Sequence, residues 1–129
     1  MSRVAEAALA AVGARFRLHG RDPATGLDCV GLVAWSLAAG GYAGAVPTGY
    51  RLRGGDATAV AGLLDAGLVR VAEAAAGDVL LMRTGPGQLH LGVWVTIGLV
   101  HADAGLGRVV MRPGAVAWPV LGCWRVGEV

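Results

Sequence analysis

The feature that most constrains the fold of this chain is a change of hydrophobic rhythm at Gly77. Before it, apolar residues recur at helical spacing; after it, they come as short runs divided by turn residues. Val4 to Val12 sets Ala, Leu and Val at helical spacing and stops at Gly13. A second helical stretch, CVGLVAWSLAAGG, starts at Cys29 and ends in Gly40 and Gly41, and a shorter one opens at Asp56 and ends at Gly67. The run GRDPATG from Gly20 to Gly26 reads as a loop, and Tyr42 to Gly55 as a connection. Downstream, DVLLM, HLGVWV, LVHA, RVVM and LGCWRV are separated by TGPGQ, TIG and DAGLG, which predicts a meander of antiparallel strands. Helices first and strands second make an α+β plan, with the N-terminal helices packed on one face of a C-terminal antiparallel sheet.

At 129 residues the chain has room for one core, so residues 1–129 are expected to form a single domain. Its apolar runs are broken by Gly, Arg or His well short of a membrane span, so no membrane partner is expected. The eleven basic residues are all Arg, spread from Arg3 to Arg125 without a cluster, and against nine acidic ones they leave +2. No nucleic-acid stripe is evident. The N-terminal MSRVAEAALAAVGARF, interrupted early by Glu6, suits an amphipathic helix better than a secretory signal, so the expectation is synthesis in the cytoplasm. Three histidines and two distant cysteines, with no close pair at zinc spacing, predict neither a metal nor a cofactor nor a disulfide framework.

Asp28 stands immediately before an apolar helical stretch and reads as its N-cap, which puts Cys29 in the first turn. Unpaired N–H groups and the helix dipole there favour a thiolate, so sequence position predicts an activated sulfur. A cysteine nucleophile also needs a base and a third group that fixes the base's ring. His90 and His101 lie on successive predicted strands, and a hairpin turning around Val95 to Gly98 is expected to set them roughly opposite one another. Gly92, two residues after His90, is expected to leave space beside the ring for a helix to approach. The plainer readings stand beside these: a cysteine in an apolar segment is most often a small buried hydrophobe, which fits Cys123, and a single histidine is most often a surface or core residue, which fits His19.

The motifs LDCVGLV around Cys29, GDVLLM, HLGVWV with His90 and LVHA with His101 resemble, in order and approximate spacing, those of the NlpC family of bacterial cell-wall peptidases. The resemblance spans roughly Val12 to Ala104. It implies a papain-like fold and hydrolysis of amide bonds in peptidoglycan stem peptides, between D-glutamate and a diamino acid, through an acyl-enzyme on Cys29. His90 is then the base, His101 its orienting group, and the helix start at Asp28, Cys29 and Val30 the source of backbone donors for the oxyanion. Two departures stand out. The family's frequent upstream Tyr is Phe16 here, and the Ser that commonly follows the cysteine is Val30. Because the chain shows no leader or wall-binding repeats, it is most similar to short members found in phage tails and gene transfer agents. This implies delivery to the wall on a particle, with the loop from Arg51 to Arg53 meeting a protein partner or stem carboxylates. Two other readings stay open: a catalytically silent tail or assembly component, and an acyltransferase or amidase on another substrate.

Overall fold

In a computed structural model, residues 2–44, 46, 52 and 55–127 are described. The Arg51 to Arg53 loop lies outside them except for Leu52. Helix α1 (Arg3–Ala10) starts where the Ser2 hydroxyl accepts from the Ala5 N–H. Helix α2 (Cys29–Ala39) is capped by Asp28 and α3 (Ala57–Asp65) by Asp56, whose carboxylates accept from Gly31 and Thr58 respectively. All three starts are thus fixed by side chains that satisfy first-turn donors.

The expected loop between Gly20 and Gly26 contains a small hairpin instead, β1 (Arg21–Asp22) paired with β2 (Gly26–Leu27). Two residues per strand are too few to show a period in sequence. The main sheet holds β3 (Val69–Val71), β4 (Val79–Gly85), β5 (Gln88–Trp94), β6 (Gly98–Asp103), β7 (Arg108–Pro113) and β8 (Val120–Arg125). Its order is β3-β8-β4-β5-β6-β7, and its pairings are antiparallel. The meander therefore holds for β4 to β7, while β8 returns to the far side of β4 and brings in β3, a strand that the sequence reading did not predict. A buried carboxylate fixes this return: Asp78 is fully buried and accepts two hydrogen bonds of 2.9 Å from Arg125 and one of 2.7 Å from the Ala75 N–H.

Alternation in the strands divides the interior in two. Val79, Leu81, Leu91, Val93, Val100 and Trp124 face the helices and close over Ala8, Leu32, Val33 and Leu37. On the opposite face Leu80, Met82, Leu99 and Cys123 pack against Trp94, Val116 and Trp118. Helices on one face of an antiparallel sheet is the α+β arrangement expected from sequence. Cys123 takes the structural place anticipated for it.

The start of α2 is pressed against the β1–β2 hairpin. A side chain at Gly31 would collide with the carbonyl oxygen of Gly20, and one at Gly20 with that of Gly26. Gly62, by contrast, lies in α3 with open space where a Cβ would be. Gly31→Ala is therefore expected to destabilise the protein by about 1–3 kcal/mol through overpacking, and Gly62→Ala to stabilise it by about 0.5–1 kcal/mol through helix propensity. Urea unfolding of the two variants checks both signs.

Candidate active site

The site begins with a defect in the sheet. β4 and β5 pair along most of their length, but β5 and β6 pair only at Val93↔Val100 and Trp94↔Leu99, beside the turn that joins them. Beyond those pairs the ladder ends, and α2 packs against both strands. The Trp94 N–H bonds to Asp78 on the β4 side, so by alternation the N–H groups of Leu89 and Leu91 face away from β4. That of Leu89 is taken by the Leu52 carbonyl at 2.9 Å, and that of Leu91 is turned to the Cys29 thiol.

Cys29 sits at the first helical position of α2, 8% exposed, as the N-cap reading required. Its cap is heavily bonded. Asp28 Oδ1 accepts from the Gly31 N–H at 2.7 Å and from Arg21 Nη1 at 2.8 Å, and Oδ2 accepts from the His19 N–H at 2.8 Å. His19 is held at φ +63°, a conformation few residues other than glycine adopt. The first intrahelical bond runs from the Leu32 N–H to the Asp28 carbonyl, so the N–H groups of Cys29 and Val30 precede the helical ladder, and both turn towards the sulfur.

His90 and His101 are brought together, but not as expected. Continuing the β5–β6 register places His101 across from Gly92 and His90 across from Asp103, so the two rings are diagonal neighbours rather than opposite ones. The parted strands let them meet: His90 Nε2 and His101 Nδ1 are 3.0 Å apart, with the ring planes at 90°. The expected role of Gly92 also changes. It shares the His90 face, away from α2, and the space beside it is filled by the Leu99 side chain and the Val100 carbonyl.

A cavity of about 790 Å³ joins these groups. It is lined by Phe16, Leu18, His19 and Arg21, by Thr84, Gln88 and Leu89, and by His90, His101, Asp103 and Trp118, with Cys29 and Val30 at the helix start. Trp118 was not anticipated. It stands edge-on to both imidazoles, at 5.9 Å from His90 and 5.3 Å from His101, with the Arg112 guanidinium 5.3 Å from its indole ring. It comes from the segment after β7, where no spacing rule ties it to the histidines. His19, read as an ordinary surface residue, lines the same cavity. Phe16 lines it too, so the position that the NlpC resemblance pairs with a tyrosine is apolar here.

The electrostatics run against the expectation of an activated sulfur. Burial pushes the Cys29 thiol up to about 11; the Leu91 backbone N–H works against this and the Asp28 charge adds to it. Burial likewise pulls His90 down to about 4, aided by His101 and opposed by Asp103. His101 is also lowered, by burial first, with Asp103 opposing and Arg112 assisting. Both shifts favour the neutral forms, a thiol and an imidazole, with desolvation the largest cause of each.

This geometry defines a class: an α+β domain of papain-like build, with a cysteine at a helix start and two hydrogen-bonded histidines on the adjoining strands of one cavity. Solved structures with the same fold are NlpC/p60 domains. The chain matches the NlpC/p60 domain of the peptidoglycan hydrolase SagA with a TM-score of 0.64 and 21% identity, over 96% of this chain and 97% of that one. It matches the peptidoglycan hydrolase RipB from Mycobacterium tuberculosis with a TM-score of 0.64 and 25% identity, over 98% of this chain and 64% of that one. The p60 domain of an antigen from M. avium subspecies paratuberculosis gives 0.61 and 20%, over 98% and 94%. No family profile and no curated protein sequence matches the chain. The resemblance to the NlpC family drawn from the four motifs is thus met at the level of fold.

Two measurements check the electrostatics. Alkylation of Cys29 by iodoacetamide, followed by mass spectrometry, is expected to be slow at neutral pH and to climb towards a midpoint of about 11; a plateau near pH 6 would reveal a resting ion pair. His90 titrates at 6.5 when unfolded and at about 4 when folded, so the unfolded chain binds a proton that the folded chain refuses. Stability is full above about pH 6.5 and falls by about 3 kcal/mol as the pH drops to about 4. In His90→Leu that fall is expected to shrink, as read by thermal unfolding across the same window.

Proposed function

We propose that this protein is a cysteine peptidase that hydrolyses amide bonds in peptidoglycan stem peptides, of the D-glutamyl to diamino acid type. The observation that supports this most is the meeting, in one cavity, of Cys29 at the start of α2 with the 3.0 Å His90–His101 contact. The fold neighbours named as peptidoglycan hydrolases supply the substrate class.

In this reading His90 is the base and acts through Nδ1, since its Nε2 is committed to His101. That assignment fixes the tautomer: His90 Nε2–H donates to His101 Nδ1, leaving Nδ1 of His90 with a lone pair. As the sulfur bonds to the scissile carbonyl carbon, the thiol proton passes to His90. The oxyanion that forms is met by the Cys29 and Val30 N–H groups. Collapse breaks the C–N bond, the His90 proton goes to the leaving amine, and a thioester remains on Cys29. Water then attacks the thioester carbon, with His90 again taking the proton; collapse breaks the C–S bond, the His90 proton returns to the Cys29 sulfur, and the product leaves as the free acid. His101 orients the ring without touching the substrate carbonyl.

The catalytically silent reading has an observation of its own: the thiol raised to about 11, together with an apolar Phe16 where a hydroxyl would assist the oxyanion. A digest of purified peptidoglycan, analysed by mass spectrometry, separates the two. Wild type is expected to release stem fragments and Cys29→Ala none. His90→Ala is expected to lose on the order of 100-fold or more in kcat/KM, and His101→Ala less than His90→Ala. Release by Cys29→Ala at the wild-type rate would sink the proposal, and no release by wild type would favour the silent component.

A further inference from the structure

Beside the nucleophile, the cavity carries a cation whose hydrogen-bonding capacity is only partly used. Arg21 Nη1 donates both its protons inside the protein, to the Gly20 carbonyl at 2.9 Å and to Asp28 Oδ1 at 2.8 Å. These two bonds fix the guanidinium against the first turn of α2. The Nε proton and the two on Nη2 have no acceptor among the described residues, and Arg21 lines the cavity with its side chain 35% exposed. Asp28 does not use up the charge, because its carboxylate is also bonded by the His19 and Gly31 N–H groups and sits at a helix start. The cavity's other carboxylate, Asp103, acts on the two histidines and accepts from the Leu106 N–H. What remains is a fixed planar fork of N–H donors in the cavity that also holds Cys29, the arrangement that suits a carboxylate.

We infer that Arg21 forms an anion subsite that selects substrates bearing a free carboxylate close to the scissile carbonyl. The inference rests on the peptidase reading above and sharpens it: in a γ-linked D-glutamyl residue the α-carboxylate is a few bonds from the carbonyl that Cys29 attacks. The subsite therefore distinguishes isoglutamate stems from stems whose α-carboxylate is amidated. Val30 next to the cysteine brings no side-chain donor, so the free Arg21 donors and the His19 ring are the polar groups offered from this segment.

The test compares L-alanyl-γ-D-glutamyl-L-lysine with the same peptide carrying an α-carboxamide, each titrated calorimetrically into Cys29→Ala protein so that neither is consumed. The carboxylate peptide is expected to bind about 10-fold more tightly than the amide. With Arg21→Gln added, the ratio is expected to fall to about one. Arg21→Lys keeps the charge but not the fork and is expected to give an intermediate ratio; it also reads the subsite where loss of the Asp28 bond unfolds Arg21→Gln. Equal affinities in the Cys29→Ala protein, no binding of either peptide, or a ratio that survives both Arg21 changes would overturn the inference. Hydrolysis by wild type keeps the two readings apart. Cleavage of both peptides with one kcat/KM would leave the peptidase and remove the subsite, while selective binding without cleavage would leave the subsite and remove the peptidase.

Discussion

The Asp28 carboxylate is the interaction on which the rest of the site depends. A buried carboxylate is tolerated only when donors surround it, and this one is held by two backbone N–H groups and a guanidinium. Each bond fixes a different piece of chain. The Gly31 N–H fixes where α2 begins and hence where the sulfur lies. The His19 N–H holds the backbone at positive φ, and Arg21 ties in the β1–β2 hairpin. Glycines at 20, 26 and 31 make the arrangement possible sterically, because the hairpin backbone lies where side chains on the helix start would otherwise stand. Removing the carboxylate would loosen the cap, the hairpin and one cavity wall together.

The sheet answers this helix start with a gap. Two strands that remained paired to their ends would bury the Leu91 N–H in a ladder and keep the cysteine on one face and the histidines on the other. Because β5 and β6 part after two residue pairs, the thiol approaches from the helix side and the imidazoles from the opposite face. The same parting turns a diagonal relation between His90 and His101 into a 3.0 Å contact. Trp118 closes the histidine side, and its edge-on packing on both rings restricts how far either can turn.

What was legible in the sequence follows from how local its cause is. The helix starts at Asp28 and Asp56 were readable because an N-cap acts within three residues. Strands β4 to β7 were readable because apolar runs between turn residues need no partner to be recognised. β3 and the return of β8 were not, since what places them is tertiary: the pairing of β3 with β8 and the Asp78–Arg125 link across 47 residues. The histidine pair was found for a partly mistaken reason, because strand splaying leaves no mark in the alternation. Trp118 and Arg21 were missed as cavity residues because both sit in segments that read as loops. The activated sulfur was read from the cap alone: a cap predicts a dipole, while the burial that opposes a thiolate is set by the fold.

That burial sets a condition on any chemistry here. With the thiol at about 11 and the imidazole at about 4, moving a proton from one to the other costs on the order of 10 kcal/mol before the two charges attract. Attraction between the two charges offsets part of this. A free-standing thiolate–imidazolium pair is therefore disfavoured at rest, and proton transfer has to accompany attack on a carbonyl. In the proposed reaction the negative charge would pass from sulfur to an oxyanion beside the Cys29 and Val30 N–H groups, while a positive charge on His90 would gain from Asp103. The same burial that favours neutral groups at rest would then couple proton transfer to attack in the proposed reaction. The balance between rest and attack turns on donors and charges that do not depend on the nucleophile's own ionisation.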